Sequence, residues 1–430
     1  MKEALLHYLW KFRKLGNAAT SQSLLTTSNE IIEIINPGTH NQLSGPDFFN
    51  AQIRINNQLW AGNIEIHVRS SDWFLHNHEQ DSAYNNVILH VVWEADCEVY
   101  DVSNQPIPTL ELNNIIDKQI LLNYQKLLET KNYKFINCEA DFAEVSEILV
   151  QNWLERIYFE RLERKVLEVE RLLMLQKGDW EAVLFAMLAR NFGTVVNADA
   201  FEEIALVIPF KTIRKLAVAN NQLEAVFLGI CGLLNTPGQR DAQTESWLND
   251  FEFNKSKFDL KDSLHHTIQF FKLRPPNFPT IRLSQLAQLY EKHTTIFAQI
   301  NAAKTRKELQ SLFTIETSTY WQTHYNFNKT HKKRIKKLTP AFVDLLIINS
   351  IIPVKFAFAK AQGISIEENL LELITAIPSE KNSIVSGFLN LKPLKHNALN
   401  TQAFIELKKN YCNLNRCLSC QIGNSILNRG

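Results

Sequence analysis

The sequence has almost no charge imbalance. Its 430 residues carry 46 Lys and Arg against 45 Asp and Glu, so any nucleic-acid surface must be local and not a property of the whole chain. It also lacks a long apolar run: no stretch reaches the ~18 uninterrupted apolar residues of a membrane span. LLIINSIIPVKFAFA (345–359) comes closest, but Asn349, Pro353 and Lys355 interrupt it. It reads as a buried helix pair, and no membrane partner is expected. The opening MKEALLHYLWKFRKLG is broken by Glu3, His7, Lys11 and Arg13, which predicts that there is no signal peptide. The expected location is the reducing cytoplasm, where the six cysteines serve as thiols or metal ligands and not as disulfides. No internal repeat of fixed period is visible. What the chain does have is apolar mass, 45% of its residues, which argues against wholesale disorder. Its length fits two or three domains.

The texture changes near residue 115. Before it, β-branched and alternating segments are separated by turn formers. A helix is predicted from about Lys2 to Leu15, then an extended run at Ile31 to Ile35 closed by the turn-rich NPGTHNQLSGP. Phe48 to Ile55 alternates apolar and polar side chains, Asn56-Asn57 offers a hairpin turn, and Trp60 to Val68 returns. Asp72 to Asn86 is polar and partly helical. Val87 to Trp93 is an apolar strand of the kind buried on both faces. Val99 to Leu112 adds an edge hairpin, limited by Pro106 and Pro108. The predicted order is helix, three strands, helix, strand: an α/β domain with a mixed sheet over residues 1–115. Residues 116–430 form a mainly α-helical region, with helical periodicity at 146–175, 179–191, 199–207, 222–234, 259–272, 283–299, 304–312, 340–348, 366–376 and 401–410. The proline-rich LRPPNFPTIRL (273–283) is a connector.

The segment GPDFFNAQIRINNQLWAGNIEIHVRSSDW (45–73) carries the clearest chemistry. Asp47 stands where a loop enters a strand. Glu65 and His67 are two apart on the next strand, so they share a face, and a hairpin brings Asp47 beside them. Two carboxylates at a strand edge suit Mg2+ or Mn2+, hard ions that keep positions open for water and phosphate. The following SSDWFLHNHEQDSAYNNVILHVVW (70–93) adds Asp72, His76, His78, Asp81 and His90. These read either as further ligands, toward a transition metal, or as a polar loop whose histidines cap helix ends, with His90 a core residue. Asp47 and Glu65 have a plain reading of their own, as a turn-capping Asp and an exposed strand Glu.

Pro46-Asp47, a hairpin's length, then Glu65-Ile66-His67 resembles the signature of the PD-(D/E)XK nuclease superfamily. The predicted element order is similar to that superfamily's restriction-endonuclease-like core. The resemblance implies a metal-dependent nuclease that cuts a phosphodiester of DNA or RNA. It implies Asp47 and Glu65 as metal ligands, the Ile66 carbonyl as a third oxygen, and Glu3 on the first helix as a further donor. His67 stands where the superfamily has Lys, and would position or deprotonate water. A binding protein on a catalytically degenerate nuclease fold is the first rival; another metal-dependent hydrolase using the histidine cluster is the second. The whole chain also resembles an uncharacterised bacterial family of unknown function, through GPDFFNAQIRI, GNIEIHVRSSDW, YNNVILHVVW, LRPPNFPTIRL and CLSCQIGN.

YCNLNRCLSCQIGN (411–424) places Cys412, Cys417 and Cys420 in C-x4-C-x2-C spacing. Three thiolates so placed bind Zn2+ or part of an iron–sulfur cluster, with Cys138 the first choice for a fourth ligand and His396 the next. Small buried side chains at a helix end are the alternative. The basic run THKKRIKKL (330–338) has Lys332, Lys333 and Arg334 at its centre. It reads as a nucleic-acid backbone contact or as a solvated loop. Trp153, Trp180, Trp247 and Trp321 are expected as core anchors.

Overall fold

The alternation in FFNAQIRI, with two asparagines behind it, builds the central hairpin of a sheet in a computed structural model of the chain. Asn56 and Asn57 both take the left-handed conformation, φ 46° and 71°, as the favoured two-residue hairpin turn requires. The structure describes residues 2–15, 23–41, 43–128, 135–219, 222–235, 241–261 and 263–429. They fall into two units. The first is Met1–Trp153 with Gly387–Lys392 and Leu407–Gly430, and the second is Leu154–Ser386 with Pro393–Glu406.

The first unit opens with α1 (Glu3–Lys11). Its sheet contains β1 (Leu24–Leu25), β2 (Ile31–Asn36), β3 (Thr39–His40), β4 (Phe48–Ile55), β5 (Gln58–Arg69), β6 (Val87–Glu94) and β7 (Thr109–Glu111). The strand order is β1-β2-β4-β5-β6-β7, with β3 also beside β4. Strands β2, β4 and β5 run antiparallel; β5, β6 and β7 run parallel. The sheet is therefore mixed, as the texture before residue 115 predicts. The crossover from β5 to β6 holds α2 (Asp72–Leu75) and two turns of 3-10 helix, His78–Gln80 and Ser82–Tyr84. Ile64 and Ile66 of β5 and Leu89 and Val91 of β6 are fully buried, which accounts for the near-continuous apolar run of a parallel core strand. Helix α1 packs on β5 and buries Leu5, Leu6, Leu9 and Trp10.

Two expectations for this unit change. The hairpin over Val99 to Leu112 reduces to a single bridge between Tyr100 and Pro106, and β7 joins β6 in parallel. Pro106 and Pro108 have no N–H to sustain a two-sided ladder; Pro108 contributes only its carbonyl, which accepts the His90 N–H at 2.9 Å. The unit also runs past residue 115. Asn123, on α3 (Lys118–Leu128), gives its side-chain amide to the carbonyls of Ile426, Leu427 and Arg429 at 3.4, 3.1 and 3.0 Å. It thereby caps the C-terminal helix Gln421–Leu427, whose last carbonyls have no partner within the helix.

The second unit is mainly helical. Here the described residues of the helix expected at 259–272 are irregular, and helix occupies Ala242–Phe258 instead. Asp241 caps that helix through the Thr244 N–H at 2.8 Å, and Asp259 ends it in the left-handed conformation at φ 52°. The amides of His265 and His266 then go to the Glu203 carboxylate at 2.8 and 3.0 Å. The expected helix pair at 345–359 is one run, Pro340–Ala361, that passes through the π-helical segment Ile347–Ile351. The wider π turn, with the Ile352 N–H bonded to the Ile347 carbonyl, takes up the break that Pro353 would otherwise cause. Among the described residues this is the one helix long and apolar enough to cross a membrane, and 78% of its most apolar window is buried. Trp153, Trp247 and Trp321 are buried; Trp180 is partly exposed and stacks on Phe297.

Candidate metal centre

Strand parity places Glu65 and His67 together: His67 Nε2 lies 3.5 Å from Glu65 Oε1. His90 is the register partner of Glu65 on β6, and its Nε2 lies 2.9 Å from His67 Nδ1. The crossover returns over this end of the sheet. His76 Nδ1 is 3.1 Å from His67 Nε2, and His78 Nε2 is 3.3 Å from Glu65 Oε1. Asp47 closes the other side. Its N–H donates to Glu65 Oε2 at 3.1 Å, and its Oδ2 accepts the Ile66 N–H at 3.0 Å.

Local structure explains this convergence. Asn50, at φ 55°, makes a bulge where the β4–β5 register shifts between Phe48 and Ala51, and a bulge of this kind bends a strand and re-aims its side chains. Gly62 allows β5 and β6 to meet, because a Cβ there would stand 2.4 Å from Ile88 Cγ2 and 2.6 Å from the Asn86 carbonyl oxygen. The crossover is pinned by an apolar cluster of Trp73, Tyr84, Val99 and Ile107. His78 stacks on Tyr84 with centroids 3.7 Å apart and stands edge-on to Trp73.

Burial grades through the group. His90 is 0% exposed, His67 2%, Glu65 5% and His78 9%, while Asp47 and His7 side chains are about one-fifth exposed. His76 lies at the exposed mouth. Burial pushes the Glu65 carboxyl up to about 7 against the pull of His78. Burial, then the neighbouring imidazoles, pushes His67 down to about 3, and burial takes His90 well below its ordinary range. Both are neutral imidazoles at pH 7. If Nδ1 of His67 carries its proton, it donates to His90 Nε2 and leaves Nε2 as a lone pair.

The structure also brings in a residue the sequence reading passed over. His7 Nε2 lies 3.1 Å from Asp47 Oδ2. Burial opposes its protonation, but Asp47, Glu3 and Glu65 outweigh burial, and its pKa is raised. Burial, with Asp47 nearby, also raises Glu3. The available signal was that Glu3 and His7 are four apart on one predicted helix and so share a face. Among the described residues, two triads of possible ligands have donor atoms all within 4.8 Å of one another: His67–His76–His78 and Glu3–His7–Asp47. Ligand atoms ~2.0–2.1 Å from a tetrahedral ion stand roughly 3.3 Å apart, close to the Glu65–His67, Glu65–His78 and His67–His76 separations of 3.5, 3.3 and 3.1 Å.

Asp81 stays outside the group. It is exposed and its carboxylate accepts the Ala83 N–H at 2.9 Å, capping a turn. Asp72 likewise accepts the Arg69 N–H at 2.9 Å. In the second unit, Lys332, Lys333 and Arg334 are exposed on the segment after the hairpin β8 (His324–Asn326) and β9 (Lys329–Thr330). Lys336 of the same run is buried instead, with Nζ donating to the Trp321 carbonyl. The cysteines form a separate group in the first unit, where Cys138, Cys412, Cys417 and Cys420 line one small cavity. Burial and the neighbouring cysteines push Cys412 up to about 12 and Cys417 up to about 11, the opposite of a reactive thiol. His396, the other choice for a fourth ligand, belongs to the second unit.

Residues 3–383 match the family described as protein of unknown function, DUF2851. The chain belongs to this family. No curated protein and no solved structure matches it. The matched residues take in the whole sheet-end group and Cys138, and stop short of Cys412, Cys417 and Cys420.

Proposed function

We propose that the first unit is a metal-dependent hydrolase of phosphodiester bonds, a nuclease acting on DNA or RNA. The observation that carries this reading is the pairing of Asp47 with Glu65 at the end of β5. The pair sits within an order of helix, three longer antiparallel strands (β2, β4 and β5) with the two-residue β1 and β3 among them, crossover and parallel strand. That order and that carboxylate pair are what the PD-(D/E)XK resemblance implies, and they support a restriction-endonuclease-like reading of the unit. Glu65, His67, His76 and His78 would hold the metal. Three imidazoles with one carboxylate favour Mn2+ or Zn2+ over Mg2+. A divalent ion bound there supplies Lewis acidity and charge neutralisation at a phosphoryl oxygen.

The chain's own residues do the rest. His90 orients His67 through the 2.9 Å contact. His67 is neutral at pH 7 and so serves as a ligand and not as a substitute for the superfamily's cationic Lys. His7, held against Asp47 and open to solvent, is the group placed to take or give a proton at the mouth. The test is cleavage of single- and double-stranded DNA and RNA by chelator-stripped protein resupplied with Mg2+, Mn2+ or Zn2+. Cleavage is expected with Mn2+ or Zn2+, and should fall by orders of magnitude in Asp47→Ala and Glu65→Ala variants that melt as wild type does. Absence of cleavage under every metal would sink the proposal. Retention of nucleic acid without cleavage would point to a binding protein, and hydrolysis of a small phosphodiester alone to a different hydrolase.

A further inference from the structure

Four of the six cysteines come from stretches far apart in the chain and meet in the first unit. Cys138 lies in the turn after Ile136. Cys412 closes the π-helical segment Lys408–Cys412, Cys417 opens the 3-10 helix Cys417–Ser419, and Cys420 immediately precedes the helix Gln421–Leu427. All four line one cavity with Asn137, Tyr411, Arg416 and Gly423. All four are free thiols. No carboxylate or imidazole of the described residues joins the lining, so the donor set is sulfur alone.

We infer that Cys138, Cys412, Cys417 and Cys420 ligate an iron–sulfur cluster of the [4Fe–4S] type. An all-thiolate set selects zinc or iron–sulfur chemistry over hard ions. Spacing decides between them. Thiolates ~2.3 Å from a single zinc stand roughly 3.8 Å apart. Among the described residues, no three of these sulfurs lie within 4.8 Å of one another, so the close zinc spacing expected from the C-x4-C-x2-C pattern is not formed. A cube that takes one thiolate on each of four irons holds its ligands farther apart.

The surroundings suit such a cluster. Asn137 Nδ2 donates to Cys417 Sγ at 3.7 Å, and the amides of Ile422 and Gly423 and the Trp153 indole are directed at the Cys420 sulfur. Hydrogen bonds to ligand sulfurs are the usual means of stabilising and tuning a cluster. Gly423 lets the Cys417–Cys420 turn fold down on the following helix, because a Cβ there would stand 2.2 Å from the Cys417 carbonyl oxygen. Arg416 lines the cavity and Lys408 acts on Cys412, so two cations offset the charge of four thiolates. The cluster would tie the C-terminal segment to the turn at Cys138, joining two separate stretches that build the unit.

The experiment is anaerobic purification of the full chain from cells that assemble iron–sulfur clusters, with assay of iron, acid-labile sulfide and zinc. About four irons and as many sulfides per chain are expected, with a broad visible absorption that dithionite bleaches. Cys138→Ser and Cys417→Ser should each lose most of the iron, whereas Cys97→Ser, which alters an exposed cysteine outside the cavity, should keep it. One zinc per chain without iron would overturn the cluster assignment. Protein free of both metals would overturn the centre altogether, and because that result is read on the wild type it does not depend on whether any variant folds.

Discussion

Replacing Glu65 with Gln should make the metal-free protein more stable at pH 8. Glu65 is 5% exposed, and burial lifts its carboxyl from an ordinary 4.5 to about 7. Its folded form therefore holds a proton that the unfolded chain has already released. Below pH 4.5 the group is protonated in both states and costs nothing. As pH rises toward 7 the unfolded state gains by ionising while the folded state cannot, and above 7 the folded state carries a buried, poorly compensated charge. At ~1.36 kcal/mol per pH unit this amounts to about 3 kcal/mol. Gln keeps the shape and never ionises. The low pKa of His67 acts in the opposite sense, costing stability below about 6.5 and nothing above, but it is present in both proteins and largely cancels in the difference. For a unit of this size ~1 kcal/mol moves Tm by about 2–4 °C, so chelator-treated Glu65→Gln should melt about 6–12 °C above wild type at pH 8 and level with it near pH 4.5. Adding Mn2+ or Zn2+ should reverse the order. A ligand at ~1,000 times its Kd stabilises by about 4.1 kcal/mol, more than the Gln variant's advantage of about 3 kcal/mol, and only wild type retains the full ligand set. A Gln variant no more stable than wild type at pH 8 in chelator would refute the desolvation argument.

Three more perturbations test other parts of the structure. His67→Lys should abolish metal binding and any cleavage, because an ammonium would replace a lone pair between His76 and Glu65; a gain of activity, measured on the same nucleic-acid substrates, would show that His67 stands in for a Lys after all. Gly62→Ala should destabilise the first unit by about 1–3 kcal/mol, since its Cβ would meet the Asn86 backbone at 2.6 Å; an unchanged urea midpoint would count against that close approach. In the second unit, Lys355 is buried and donates to the carbonyls of Ile300, Asn301 and Ala303 at 3.0, 2.8 and 2.8 Å. Lys355→Met should lower stability at pH 7 by about 2–4 kcal/mol because unpaired buried carbonyls cost about 1–3 kcal/mol each, partly offset by relief of the burial that pulls the Lys355 ammonium down to about 8.

The sequence by itself determined what depends on neighbours along the chain. Alternation in FFNAQIRI and the Asn56-Asn57 turn specify the β4–β5 hairpin, and the period of two puts Glu65 and His67 on one face. The 3.6-residue period likewise specifies the long helix, expected at 146–175 and found at Glu147–Leu175. Only the tertiary structure decided which of the polar residues after Arg69 matter. His76 and His78 reach the site and Asp81 does not, because the packing of Trp73 against Tyr84 sets the path of the crossover. The same holds for His7, which meets Asp47 only when α1 packs on β5, and for Cys138, which meets Cys417 and Cys420 from the other end of the chain. It holds for the boundary of the first unit, which passes residue 115 because Asn123 caps a helix some three hundred residues away. Periodicity and turn chemistry act over a few residues, whereas the convergence of ligands is set by loop closure and by which apolar faces find one another.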